Sequence, residues 1–146
     1  HWLHLHSSTP MIYARTDHPL SDASSLHGIR HAGWAVAGQA DTAGSVIEET
    51  HRVRKLARPR ILAQCQDYET MLNLVARSDL LCVVPHPVLM TGQQAIRPLS
   101  IREGLPQYQV GMFWLRTQTQ PSQALIRAIV SALKALRAAT TSPPAK

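Results

Sequence analysis

The residues in this chain best placed to do chemistry are polar groups at helix starts and strand ends. What they offer is capture of a small molecule, not a bond-making step. Gln39, Asp41, Thr42 and Ser45 precede one segment of helical apolar periodicity, and Asp67 and Tyr68 open another. A helix start presents backbone N–H groups with no internal partner, together with the positive end of the helix dipole, so it draws acceptor oxygens. Pro85 and His86 close the apolar run that follows the second helix. His86 could donate to a ligand or titrate near neutrality, and the Tyr68 ring could line a pocket. The candidate ligand-binding residues are therefore Gln39, Asp41, Thr42, Asp67, Tyr68, Pro85 and His86. Each also has a plainer reading: Asp41, Ser45 and Asp67 as helix caps, His86 as a solvated loop histidine, and Trp34 as core.

Other chemistries find less support. His1, His4 and His6 alternate as strand residues might, and two or three of them could hold a metal weakly. A terminus without regular structure is the competing reading, and neither a metal nor a cofactor is expected. Cys65 and Cys82 both fall in apolar, strand-like runs and read as buried, reduced thiols rather than a disulfide framework. No Gly-x-Ser-x-Gly elbow, phosphate-binding loop or dinucleotide fingerprint is present. The adjacent carboxylates Glu48 and Glu49 diverge on a helix. No enzyme is expected.

The elements that must position the candidate residues follow from periodicity and punctuation. Met11 to Ala14 reads as a short strand, broken by Pro19, and a weak helical turn follows at Ser24 to His27. Trp34 to Ala37 is the next strand, closed by Gly38. A helix from Ser45 to Ala57 has Ser45 and Glu48 in capping-box spacing. It carries Val46, Thr50, Val53 and Ala57 on one face, and Pro59 stops it. Ile61 to Cys65 is a strand, Asp67 caps a helix running to Arg77, and Leu80 to Val84 is continuously apolar, as a strand covered on both faces should be. Strands alternating with helices of this length predict crossover units and a mainly parallel sheet, with both helix starts on one rim. Ile96 to Leu99 and residues 108–116 are further strands. Val110, Met112 and Trp114 fall on one face of the latter and Phe113 and Leu115 on the other, so it expects cover on both sides. A strongly amphipathic helix opens at Pro121 with Leu125, Ile126, Ile129, Val130, Leu133 and Leu136 as its stripe, and residues 140–146 read as a frayed tail.

Composition bounds the partners. The chain has 146 residues, 16% charged, and a net charge of +6. Arg52, Arg54, Lys55, Arg58 and Arg60 supply much of that charge late in a helix or just past it, where cations suit the dipole. No aromatics are interleaved with them to stack on bases. No run of 18 apolar residues marks a membrane span. The start lacks both a secretory leader pattern and an initiating Met, so a fragment or processed terminus is expected.

At these residues the chain resembles the effector-binding region of LysR-type transcriptional regulators. The run Asp17-His18-Pro19-Leu20 is similar to the segment after the family's first hinge-crossing strand. Trp34 and the helix at residues 45–57 resemble the opening of its second lobe. Residues 75–85 (VARSDLLCVVP) resemble its strand-then-proline signature, and residues 99–136 its return to the first lobe and closing helix. Asp67 stands where a small hydroxyl residue is common in members, and Asp41 near where they often bind an anion.

The resemblance implies an α/β fold of the type-2 periplasmic-binding-protein kind, with one nearly whole lobe and part of a second. Residues 1–17 would be a partial first lobe and crossing strand, and 18–95 the second, effector-binding lobe. Residues 96–139 would return to the first lobe, with 140–146 a tail. It also implies a cytoplasmic protein that binds a small-molecule effector, works as a homo-oligomer, and meets DNA only through a winged helix-turn-helix that has no counterpart here. A stand-alone small-ligand carrier and a non-functional remnant of a truncated regulator remain the alternatives.

Overall fold

The computed structural model describes residues 2–38, 46–85, 95–114 and 120–141. Its strands are β1 (Trp2–Ser8), β2 (Pro10–Arg15), β3 (Gly33–Ala37), β4 (Arg60–Cys65), β5 (Leu80–Pro85), β6 (Ile96–Pro98) and β7 (Tyr108–Phe113). Its helices are α1 (Val46–Val53), α2 (Tyr68–Val75) and α3 (Gln120–Thr141). The chain divides into two compact units, residues 8–108 and residues 1–7 with 109–146.

The first unit is built on a five-stranded sheet in the order β4-β3-β5-β2-β6. β3 runs parallel to both β4 and β5, as crossover units require. β2 is antiparallel to β5 and to β6, so the sheet is mixed, not mainly parallel. Strand pairing across 70 residues of chain is decided by which apolar faces meet, which local periodicity does not encode. Residue alternation sorts the side chains onto two faces. Ile12, Ala14, Trp34, Leu81 and Val83 join Ile47 of α1 in one core. Tyr13, Ala35, Ala37, Cys82 and Val84 join Met71, Leu72 and Val75 of α2 in the other. β5 is buried from Leu81 through Val84, as its unbroken apolar run predicts. Residues 25–31 form turns instead of the expected helical turn.

α1 ends four residues earlier than the expected Ala57. Lys55 adopts a left-handed backbone, φ 55°. This lets Leu56 N–H reach the His51 carbonyl at 2.9 Å and Lys55 N–H the Arg52 carbonyl at 3.2 Å. That closure satisfies the last carbonyls of the helix, a task usually given to glycine. Its buried face agrees with the expected one at Thr50 and differs at Val53: Ile47, Thr50 and His51 are buried, whereas Val53 is 59% exposed. Thr50 is tolerated because its hydroxyl donates to the Val46 carbonyl at 2.6 Å. His51 Nδ1 donates to the Ala57 carbonyl at 2.5 Å. Lys55→Gly should therefore stabilise this unit by about 0.5–1 kcal/mol, the left-handed penalty of a side chain less the extra chain entropy of glycine. Urea melts of the two proteins check this.

In the second unit β1 and β7 form a two-stranded sheet. The N-terminal stretch read as irregular is thus a strand. Trp2 lies over the Cα of Gly111, where any side chain would collide with the indole. β7 lacks the two-sided cover its sequence predicts: Phe113 is 78% exposed and Val110 and Met112 are half-buried. Leu125 on α3 is 62% exposed, and Ile126, Ile129, Val130 and Leu133 are half-buried. Leu136 and Leu115 lie outside the side chains described.

Candidate functional site

The parallel register of β3 against β4 pairs Ala37 with Cys65, and β5 runs in the same direction beside β3. The carboxyl ends of all three strands therefore lie on one rim, and the chain leaves β3 toward α1 and β4 toward α2 from that rim. Open α/β sheets present their ligand crevices at such strand ends. Asp67 and Tyr68 sit there, and Pro85 ends β5 opposite Pro10 of β2. Gln39, Asp41, Thr42 and His86 lie outside the described residues, as does Ser45.

The exit from β3 is built by Gly38, whose φ of 84° is in the left-handed region. Its N–H donates to the Cys65 carbonyl at 2.9 Å, and its own carbonyl accepts from Gln64 Nε2 at 3.0 Å. These two bonds fix the direction in which the chain enters residues 39–45. The role of Gln64 was not legible in the sequence, where it reads only as the outward residue of an alternating strand.

Asp67 is the N-cap of α2. Its Oδ1 accepts from the Thr70 N–H at 2.8 Å and its Oδ2 from the Thr70 hydroxyl at 3.0 Å. The cap reading of Asp67 is therefore realised, and its charge already occupies the positive end of the α2 dipole. These bonds, led by the backbone N–H of Thr70, hold its carboxyl below the ordinary carboxylate range. A carboxyl depressed in the folded chain stabilises it fully above the unfolded value, and the contribution is lost as pH falls through the folded value. The window for Asp67 thus lies below about pH 4. Asn caps as well as Asp, so Asp67→Asn should melt like the parent near neutrality and lose less stability on acidification. Urea midpoints at neutral and acid pH measure this.

Tyr68, half-buried beside the α2-side core, has its phenol pushed up by burial first and by the neighbouring Tyr108 and Cys82 next. Cys65 and Cys82 are free and buried, as expected, and burial pushes the Cys82 thiol up to about 12, which leaves it an inert core group. Trp34 is fully buried in the α1-side core, as its plainer reading holds. Among the described residues no three His, Cys, Asp or Glu side chains converge as metal ligands. His4 instead lies 3.2 Å from the Ser7 hydroxyl. No helix among the described residues is long and apolar enough to cross a membrane.

This architecture matches solved structures at low identity. The probable transcriptional regulator PA0477 from Pseudomonas aeruginosa superposes with a TM-score of 0.73 at 18% identity, over 89% of this chain and 44% of that one. The Synechocystis PCC6803 CcmR regulatory domain, in complex with 2-PG, gives 0.73 at 13% identity over 92% and 67%. The BenM effector-binding domain with benzoate gives 0.65 at 14% over 99% and 67%. The chain thus spans under half of the first of these and about two thirds of the two separate domains. A family model, LysR substrate binding domain, matches residues 1–137. With its α/β layers and this match over nearly its whole length, the chain belongs to the LysR substrate-binding domain family of transcriptional regulators and has its type-2 periplasmic-binding-protein-like fold.

Proposed function

We propose that this chain is the ligand-sensing part of a LysR-type transcriptional regulator, with a small-molecule effector held on the rim where β3, β4 and β5 end. The observation that carries the reading is the parallel register of these strands, which brings the chain entering α1 and the start of α2 to one edge. Gln39, Asp41, Thr42, Asp67, Tyr68, Pro85 and His86 are the residues assigned to the effector. Because both oxygens of Asp67 are engaged by Thr70, Asp67 acts as a fixed negative edge of the site. An anionic effector group would keep to the side entering α1, and hydrogen-bond donors of the effector would face Asp67. Residues 18–95 are assigned to the effector-binding lobe, and residues 1–17 and 96–139 to the other.

In the working protein, an effector that binds one arrangement of lobes and subunits better than another shifts the population toward it. DNA would be engaged by a winged helix-turn-helix elsewhere in the polypeptide, in the cytoplasm. The proposal includes no catalytic step, and at the described rim the Asp67 carboxylate is engaged as a cap.

Homo-oligomerisation is part of this reading, and the exposure of Phe113, Leu125 and Trp2 supports it, since large apolar side chains gathered in one small unit call for cover. The same exposure argues against the stand-alone carrier, which should be monomeric in gel filtration.

A thermal-melt screen of small carboxylates, including benzoate and 2-PG, alongside their uncharged amide analogues tests the effector assignment. A subset of compounds should raise the melting midpoint in a saturable way. A flat response to every member would count against the reading.

A further inference from the structure

A concavity lies on the α1 side of the sheet, and its lining includes Pro10, the residue opposite Pro85. It has a volume of about 290 Å³ and is formed by the start of β2 and the strap at residues 99–105. The strap is pinned at several points. Leu99 N–H donates to the Ile12 carbonyl at 2.8 Å and Arg102 N–H to the Ser24 carbonyl at 3.0 Å. Arg54 Nη2 donates to the Gly104 carbonyl at 2.9 Å. Met11, Ile12, Leu99, Ile101 and Leu105 give it an apolar lining, and its polar side chains are Glu103 and Thr9.

The charge decides the occupant. Glu103 is the one ionisable residue in the lining. Its Oε2 accepts from the Leu26 N–H at 3.2 Å, which fixes the carboxylate, and among the described residues Oε1 has no donor. The Thr9 hydroxyl accepts from Gln107 Nε2 at 3.1 Å and keeps a lone pair. A fixed carboxylate beside a second acceptor, set in an apolar wall, suits an ammonium group carrying a compact apolar body, because a charge-assisted bond is strongest where the rest of the contact excludes water. Sites of this size lie at the lower end of small-molecule pockets.

We propose that this hollow is a second binding site, for small primary ammonium compounds with an apolar body, lined by none of the residues assigned to the effector and suited to a cation. Binding there would link the start of β2 to the strap. Such a ligand would stabilise the 8–108 unit without occupying the effector residues.

The test uses phenethylammonium as the probe and benzoate as the anionic comparator, with ¹⁵N amide shifts and thermal melts as readouts. Phenethylammonium should move amides at residues 9–12 and 99–105 and raise the melting midpoint, and benzoate should do neither at those positions. Glu103→Gln keeps an oxygen to accept from Leu26 N–H, so its ligand-free melt should stay close to the parent. Its affinity for phenethylammonium should drop at least about tenfold, the value of one charge-assisted hydrogen bond. Thr9→Val, which retains the shape of the wall, should weaken binding by a smaller factor. Saturable shifts at those residues that Glu103→Gln abolishes would establish the site. Absence of shifts with phenethylammonium, equal binding by Glu103→Gln, or competition by benzoate would overturn it.

Discussion

Trp34→Ala is expected to destabilise the 8–108 unit by about 3–5 kcal/mol, the cost of emptying a large aromatic site in a packed core. Trp34 has no exposed surface. It sits on β3 among Ile12, Leu26, Ile29, Ile47, Leu81 and Leu99, so its ring ties that strand to α1 and to the strap. Its edge meets His51 with centroids 6.3 Å apart and planes at 86°, which adds a directed contact to the area buried. Small domains have only about 5–15 kcal/mol in total, so the variant should be partly unfolded at 37 °C or insoluble. Trp34→Phe is the informative companion. It also removes an indole N–H that finds no acceptor among the described residues, which offsets part of the lost volume, and a cost of about 1–2 kcal/mol is expected. Urea melts followed by far-UV circular dichroism read both values. A Trp34→Ala protein as stable as the parent would mean that the α1-side core is not packed as described.

Gly38→Val is the second large effect, and it reaches function through geometry. At φ 84° a β-branched residue is strongly disfavoured, so the substitution should cost about 2 kcal/mol or more. The chain can relieve that strain only by rotating the Gly38 peptide. Rotation breaks the bonds to the Cys65 carbonyl and from Gln64 Nε2 and redirects the entry to residues 39–45. Affinity for whichever compound raises the parent's melt most should therefore fall at least about tenfold. Gln64→Ala should reproduce part of this loss with a smaller change in stability, because it removes one of the two bonds and leaves the backbone unstrained. Isothermal titration on the three proteins separates the two contributions. If Gly38→Val retained full affinity, the rim entry would not shape the site.

Much of this was legible in the residues, for identifiable reasons. The apolar run Trp34–Ala37 closed by Gly38, the unbroken apolar run Leu80–Val84 and the cap at Asp67 are local signals, and the structure carries each of them through. The end of α1 was not legible, because its left-handed terminator is a lysine rather than the glycine that usually marks the position. The buried His51 was missed because the Ala57 carbonyl that its Nδ1 reaches is brought near only by the fold. The antiparallel seating of β2 between β5 and β6 depends on contacts distant in sequence. At the rim, the sequence identified Asp67 by its capping pattern but gave no sign that Thr70 would take both of its oxygens.

The central claim is that a small molecule binds on the rim, and backbone amide shifts test it most directly. The compound from the carboxylate and amide panel with the largest melt shift would be titrated into ¹⁵N-labelled protein. The account predicts saturable shifts concentrated at Gly38 and the residues entering α1, at Asp67 through Thr70, and at the end of β5 near Pro85. Shifts that instead clustered on α3 or at the far ends of the strands, near Arg15 and Asp79, would contradict it.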